Sequence, residues 1–454
     1  MLMSTHYLSI QVISKIVSQL EVKDLLNFRL VCRSWNAEAT PALRKGIRHL
    51  KILPCGMRDF LRVYRRTQEP PVQSFSFHVE NTEHMILLKG VSESLGHFVT
   101  SLRLSIASQE LPSLPKILQN FRALTEFQLL REPEKCLPPA YRKYETLDDD
   151  LCLPHLTSIC FGSRFPNLPF ICNYDNFICE IINSSEKLET LEFQNWKSSL
   201  QHIFKFSELN SLRVLSLSGT SIKESEMATL TRKRLKLRQL KITLGQSLRE
   251  ETLTNFFESI SDSLQVLDVA SDKAGSNFHI NSDLPELKVL RFQGPKCKII
   301  LDDFTANFPQ LETVEFLDFE FIAFTDYRRK EKSLVKTLIA RPCNKGDELA
   351  EVNIASLVAA FPNVTHFHGS YFNDSMCDAI FKYWRHLQAL WLSSADNVTD
   401  FGITGVPNEI LKTTKNVTCF CSNTMTEVGD SRINNHIGNL SGKSCKREDA
   451  FEAV

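Results

Sequence analysis

The stretch Leu212-Arg213-Val214-Leu215-Ser216-Leu217-Ser218-Gly219 decides the fold. Its apolar residues follow L-x-x-L-x-L, and the last two alternate with polar neighbours at the period of a half-buried strand. The same spacing restarts at Leu188 (LETLEF), Leu237 (LRQLKI), Leu264 (LQVLDV), Leu287 (LKVLRF), Leu311 (LETVEF) and Leu387 (LQALWL), with earlier copies at Leu124 (LTEFQL) and Leu156 (LTSICF). Looser copies begin at Ile47, Val72, Val99, Val335 and Val364. Successive starts lie 23 to 32 residues apart, mostly 23 to 27. That interval predicts stacked units, each with one short strand and a return segment. The expected fold is therefore α/β: a leucine-rich-repeat solenoid with a curved parallel sheet of about 13–14 units over residues 46–420.

Composition agrees with such an array. A chain of 454 residues exceeds what one compact core usually holds. Lys plus Arg equals Asp plus Glu, at 53 each, so the overall field favours neither nucleic acid nor a membrane surface. No apolar run reaches the ~18 residues of a membrane span, and the N-terminus lacks a signal-peptide layout. The expected location is cytoplasmic or nuclear, with the 13 scattered cysteines reduced.

Residues 1–45 do not follow the repeat. Val12, Ile13, Ile16, Val17 and Leu20 form one broad apolar stripe on a helix. Asp24 is placed to cap a second helix carrying Leu25 and Leu26, and a further turn holds Val31, Cys32 and Trp35 before Pro41 marks its approximate end. So short a segment cannot bury all these side chains in itself. Either the solenoid covers them, making the module a cap on the first repeat, or another protein does.

The residues Leu8-Ser9-Ile10-Gln11-Val12-Ile13-Ser14-Lys15-Ile16-Val17-Ser18-Gln19-Leu20, then Asp24-Leu25-Leu26 and Val31-Cys32-Arg33-Ser34-Trp35, resemble an F-box. Ser9 and Gln11 stand where that family usually has proline and glutamate. The resemblance implies a three-helix module that docks on the Skp-type adaptor of a cullin ubiquitin ligase, laying apolar anchors against a hydrophobic surface. The implied adaptor-binding residues are Leu8, Val12, Ile13, Ile16, Leu20, Leu25 and Leu26, while Cys32 and Trp35 are expected in the module's own core.

Strand parity sets the concave side of the repeats. The residues between and around the two alternating apolar positions face outward there. They are Arg103, Glu126, Glu192, Lys241, Asp268, Arg291, Glu315, His366, His368 and Trp391, a mixed-sign face suited to a target protein rather than to nucleic acid. Two histidines without a third ligand in reach predict no metal. Residues 421–454 are polar and expected to be disordered.

No phosphate loop, zincin, nucleophile-elbow or zinc spacing is present in the sequence, so neither a cofactor nor a catalytic group is expected. With the resemblance, the expected function is the substrate-recognition subunit of an SCF-type ubiquitin ligase, which is not itself an enzyme. The other reading is a leucine-rich-repeat interaction scaffold unconnected to ubiquitin, its N-terminal helices acting only as a cap.

Overall fold

The computed structural model describes residues 10–29, 31–46, 49–64, 72–106, 114–131, 151–163, 175–196, 198–245, 248–271, 277–301, 304–324, 333–342, 348–370, 373–393 and 416–420. The chain divides into two compact units, Met1–Leu237 and Arg238–Val454. The sequence expectations for Leu8, Ser9 and the tail 421–454 fall outside the described residues.

The first unit opens with helices α1 (Ile10–Val17), α2 (Val22–Phe28) and α3 (Arg33–Gly46). Asp24 does not cap α2: the helix starts two residues earlier, and Asp24 lies in its first turn. Nor does Pro41 end α3, which runs on to Gly46. Inside a helix proline removes the backbone donor that would reach the preceding turn and crowds the carbonyl there. Ala39 and Leu43, one turn apart on either side of Pro41, are both buried in the module's core.

Strands β1 (Leu50–Ile52), β2 (Ser74–Val79), β3 (Ser101–Ile106), β4 (Glu126–Arg131), β5 (Ser158–Ser163), β6 (Thr190–Gln194) and β7 (Val214–Ile222) follow, each parallel to the next. Their register aligns the hexads: Leu50, Phe75, Leu102, Phe127, Ile159, Leu191 and Leu215 form one row. Two positions on, Phe77, Leu104, Leu129, Phe161 and Phe193 form a second buried row, in which the rings of Phe161 and Phe193 stack. A backbone ladder fixes the entry to each rung, since the N–H of Thr125, Thr157, Glu189 and Arg213 each donates to the same position of the rung before. The return segments include α4 (Thr82–Leu95), capped by the Asn81 side chain, then α5 (Gln201–Phe206) and α6 (Glu224–Lys233).

In the second unit β8 (Gln239–Leu244), β9 (Val266–Ser271), β11 (Val289–Leu301), β12 (Thr313–Phe324), β13 (Thr337–Pro342), β14 (His366–Ser370), β15 (Ala389–Ser393) and β16 (Asn416–Phe420) pair in that order, all parallel. Leu240, Leu267 and Leu290 are register partners on neighbouring rungs, as the repeat spacing predicts. Among the described residues the return after β9 contains no long helix. A short strand β10 (Asn277–Ile280) pairs with the far half of β11, and that half pairs with the far half of β12. Register shifts near Cys297 and a left-handed Asp318 separate the two halves of these long strands. A helical return forms over Glu250–Ile260, with Phe256, Phe257 and Ile260 buried. Among the described residues all fourteen hexads fall on strands, so the fold is an α/β leucine-rich-repeat solenoid with helices at its N-terminus.

Candidate protein-docking surfaces

The three N-terminal helices enclose a small core of Ile13, Val17, Leu25, Phe28, Ala39 and Leu43, with Leu20, Trp35 and Ala42 packed on its edge. Trp35 stacks on Phe28 with ring centroids 4.0 Å apart, and Arg29 Nε donates to Asn36 Oδ1 at 2.6 Å across the turn joining α2 to α3. This core divides the apolar stripe of α1 into two faces. Ile13 and Val17 point inward, whereas Val12 and Ile16, also one turn apart, remain 43% and 37% exposed. Isolated apolar side chains on a surface are ordinary, but a pair on one turn of a helix makes a contiguous apolar strip.

Several of the residues expected to meet an adaptor therefore have other places. Ile13 and Leu25, each 3% exposed, are consumed by the module's own core and present no side chain for contact. Leu20 is half-buried against that core. Leu8 and the side chain of Leu26 lie outside the described residues. Trp35 is half-buried on the edge of that core, whereas Cys32 is exposed in the turn before α3. Val31, 59% exposed in the same turn, is an apolar surface residue that the sequence reading left unassigned.

Residues 7–38 match the F-box domain. The chain carries an F-box domain. The match spans α1, α2 and the first turns of α3, so the F-box includes both the Val12–Ile16 strip and the Phe28–Trp35 stack. No curated protein matches the chain. Among solved structures the chain is similar to TLR13 in the TLR13–ssRNA13 complex, at 13% identity and a TM-score of 0.43, over 83% of this chain and 55% of that one. It is similar to the structure of the Toll–Spatzle complex, from work on Drosophila, at 10% identity and a TM-score of 0.44, over 82% and 50%. It is also similar to that of the yeast Rad7–Elc1 complex at 13% identity and a TM-score of 0.41, over 86% and 89%. The chain spans about half the length of the first two.

Behind the F-box, the outward residues of the first unit's sheet form a row: Arg103, Gln128, Cys160, Glu192 and Ser216 are register partners on successive strands. Glu126 is exposed one row earlier. Gln128 Nε2 donates to the Cys160 sulfur at 3.6 Å, and Gln194 Nε2 to Glu192 Oε2 at 3.0 Å. Burial pushes the Cys160 thiol up to about 12, and the neighbouring Glu192 carboxylate adds to that. At the front of the sheet His49 lies close enough to Arg103 for its pKa to be lowered, first by burial and then by that charge.

The corresponding row of the second unit reads Lys241, Asp268, Arg291, Glu315, Ile339, His368, Trp391. Its first four members alternate in sign and form two ion pairs. Lys241 Nζ lies 3.2 Å from Asp268 Oδ2, and Arg291 Nε donates to Glu315 Oε1 at 2.8 Å. Sequence reading found these residues but not their pairing. The signal was present, because all four occupy the fifth position of their hexads. His366 and His368 diverge in their contacts: His366 stacks on Trp391, and His368 Nδ1 lies 3.3 Å from Arg341 Nη2. Trp391 is half-buried against that imidazole rather than fully open.

Proposed function

We propose that this chain is the substrate-recognition subunit of an SCF-type ubiquitin ligase. Its F-box docks on a Skp-type adaptor, and the outward faces of its repeat sheets bind a target protein. The reading is carried by the F-box match over residues 7–38, within which Val12 and Ile16 stay exposed after the module's core is complete. An apolar strip on a helix fits a hydrophobic groove, where one anchor contributes about 2 kcal/mol or more. Val12 and Ile16, with the edge of Leu20, are the proposed contacts. The chain would supply position to a transfer enzyme held by the cullin and no reacting group of its own, so its contribution to rate is proximity.

The test is capture of the full chain by a purified Skp-type adaptor. Wild type is expected to bind. The double variant Val12→Asp with Ile16→Asp, whose changes lie outside the module's core, is expected to lose binding while its thermal unfolding is unchanged. No capture of the wild type, or capture that survives the double variant, overturns the proposal.

A further inference from the structure

The outward row of the first unit reads Lys51, Ser76, Arg103, Gln128, Cys160, Glu192, Ser216. Its charges are sorted by sign, with the cations on β1 and β3 and the carboxylate on β6. Three strand spacings separate Arg103 from Glu192, about 14 Å at ~4.8 Å each, too far for an ion pair. The two residues between them are neutral and meet each other, Gln128 Nε2 donating to the Cys160 sulfur. Arg103 is half-buried, yet its side chain makes no hydrogen bond or ion pair among the described residues, and its guanidinium nitrogens all reach solvent. Glu192, also half-buried, accepts from the Gln194 amide and has no cationic partner among the described residues. Glu126, exposed one row earlier, pairs with neither. In the second unit the same row alternates in sign from strand to strand, so that Lys241 meets Asp268 and Arg291 meets Glu315. A charge drawn partly out of water without a counter-charge costs free energy. The first unit holds two such charges, of opposite sign, on one line.

We propose that this row receives an extended segment of the target protein, with an aspartate or glutamate on Arg103 and a lysine or arginine on Glu192. The proposal rests on the reading that the outward sheet faces bind a target. An extended chain crossing the strands advances about 3.4 Å per residue, so about 14 Å is about four residues. Residues i, i+2 and i+4 of such a chain share one face, so both charges turn to the sheet and the residue midway lies over Gln128 and Cys160. A helix fails this spacing, since its i, i+4 pair spans only about 6 Å along the axis. A guanidinium takes a carboxylate through two N–H bonds. Lys51, exposed in the same row, adds to the positive end. Single-stranded nucleic acid fits poorly, because Glu126 and Glu192 would face successive phosphates.

The experiment selects a displayed random dodecapeptide library on the full chain without adaptor and measures the winners by fluorescence anisotropy. The expected winners carry an acid and a base four residues apart. Deleting or inserting one glycine between them turns one charge away from the sheet and should weaken binding about tenfold. Arg103→Gln and Glu192→Gln should each weaken the winners about tenfold, the loss of one charge-assisted bond. Arg103→Gln removes no internal partner, so its thermal unfolding should match wild type; Arg103→Lys, which should bind better, is the second variant should it not. Arg103→Glu should lose the winners and recover them when the peptide's acid is replaced by lysine, a reversal that a structural arginine would not show. Arg291→Gln, whose guanidinium is held by Glu315, should change affinity less than about twofold. The site is overturned if no peptide is enriched, if the winners lack the spaced opposite charges, or if Arg103→Gln or Glu192→Gln leaves them bound. It is equally overturned if Glu126→Gln weakens them as much as Glu192→Gln, or if an oligouridylate binds more tightly than any peptide. Winners lost on Arg291→Gln but not on Arg103→Gln would leave target binding by the sheets standing and remove this site alone. Adaptor capture, read separately, reports on the F-box and is unmoved by either result.

Discussion

The Glu226 carboxylate accepts the backbone N–H of Leu200, 26 residues earlier on the preceding repeat, at 2.7 Å. The same oxygen accepts from Ser199 Oγ at 2.8 Å, and its partner oxygen accepts from the Lys223 N–H at 2.9 Å. Glu226 is only 2% exposed, so one buried side chain satisfies the free donors at the starts of both α5 and α6. Glu226→Ala leaves those donors buried and unmet, at about 2–3 kcal/mol. Glu226→Gln keeps one acceptor oxygen and turns an amide N–H₂ on the remaining donors, so it should fall between. Urea unfolding of the three proteins is expected to rank them wild type, Gln, Ala. Equal midpoints would mean that the carboxylate does not tie the two repeats together.

A few residues away, Asn195, just after β6, and Gly219, within β7, both adopt left-handed backbone, at φ 55° and 66°, and Asn195 N–H donates to the Ser218 carbonyl. A Cβ on Gly219 would stand 2.3 Å from Asn195 Oδ1. Gly219→Ala therefore carries two penalties: the left-handed conformation, at about 1–2 kcal/mol, and the collision. In an Asn195→Gly background the collision is gone and only the first remains. The two changes should show coupling of opposite sign to simple additivity, with the double variant more stable than the sum of the singles. Strict additivity in the urea midpoints would remove the contact.

How much of this was legible before the structure follows from range. The rungs were readable because Leu240, Leu267 and Leu290 repeat a short apolar spacing, and strand parity then assigns Lys241, Asp268, Arg291 and Glu315 outward without knowledge of anything distant. The division of α1 was not readable. Val12, Ile13, Ile16 and Val17 are chemically alike, and only the position of α3 decides which two turn inward. Glu226 was silent for a similar reason, since nothing local in Lys223-Glu224-Ser225-Glu226 announces that the last carboxylate serves a repeat 26 positions back. The strand halves of β11 and β12 replaced the helical returns of other repeats because Ile299, Leu301, Phe319, Ile322 and Phe324 bury themselves from an extended chain. β-branched and aromatic residues favour that geometry.

Cysteine reactivity separates the outward row from the F-box. A thiol pushed up to about 12 is ionised in only about one molecule in ten thousand at pH 8, and only the thiolate attacks an alkylating reagent. Cys160 is held there by burial first and by Glu192 second. Cys32, Cys55 and Cys152 are exposed. With iodoacetamide at pH 8, peptide mass spectrometry should find those three modified long before Cys160, and Glu192→Gln should bring Cys160 forward without matching them. Early labelling of Cys160 in the folded chain would mean that its row is more open than described.

His368 gives the pH dependence of the other row. Burial, and then the charge of Arg341, push its imidazole down to about 4. An unfolded histidine takes its proton near pH 6.5, so between about 6.5 and 4 the unfolded chain holds a proton that the folded chain refuses. Protons then favour unfolding. The contribution of His368 to stability is intact above pH 6.5, is lost progressively as pH falls toward 4, and is constant below that. Arg341→Gln removes the second cause and leaves the first, so the imidazole should titrate higher than in wild type yet still below 6.5. An NMR titration of histidine side chains in the two proteins checks both values. A wild-type His368 titrating near 6.5, or one that Arg341→Gln does not move, would separate the two residues.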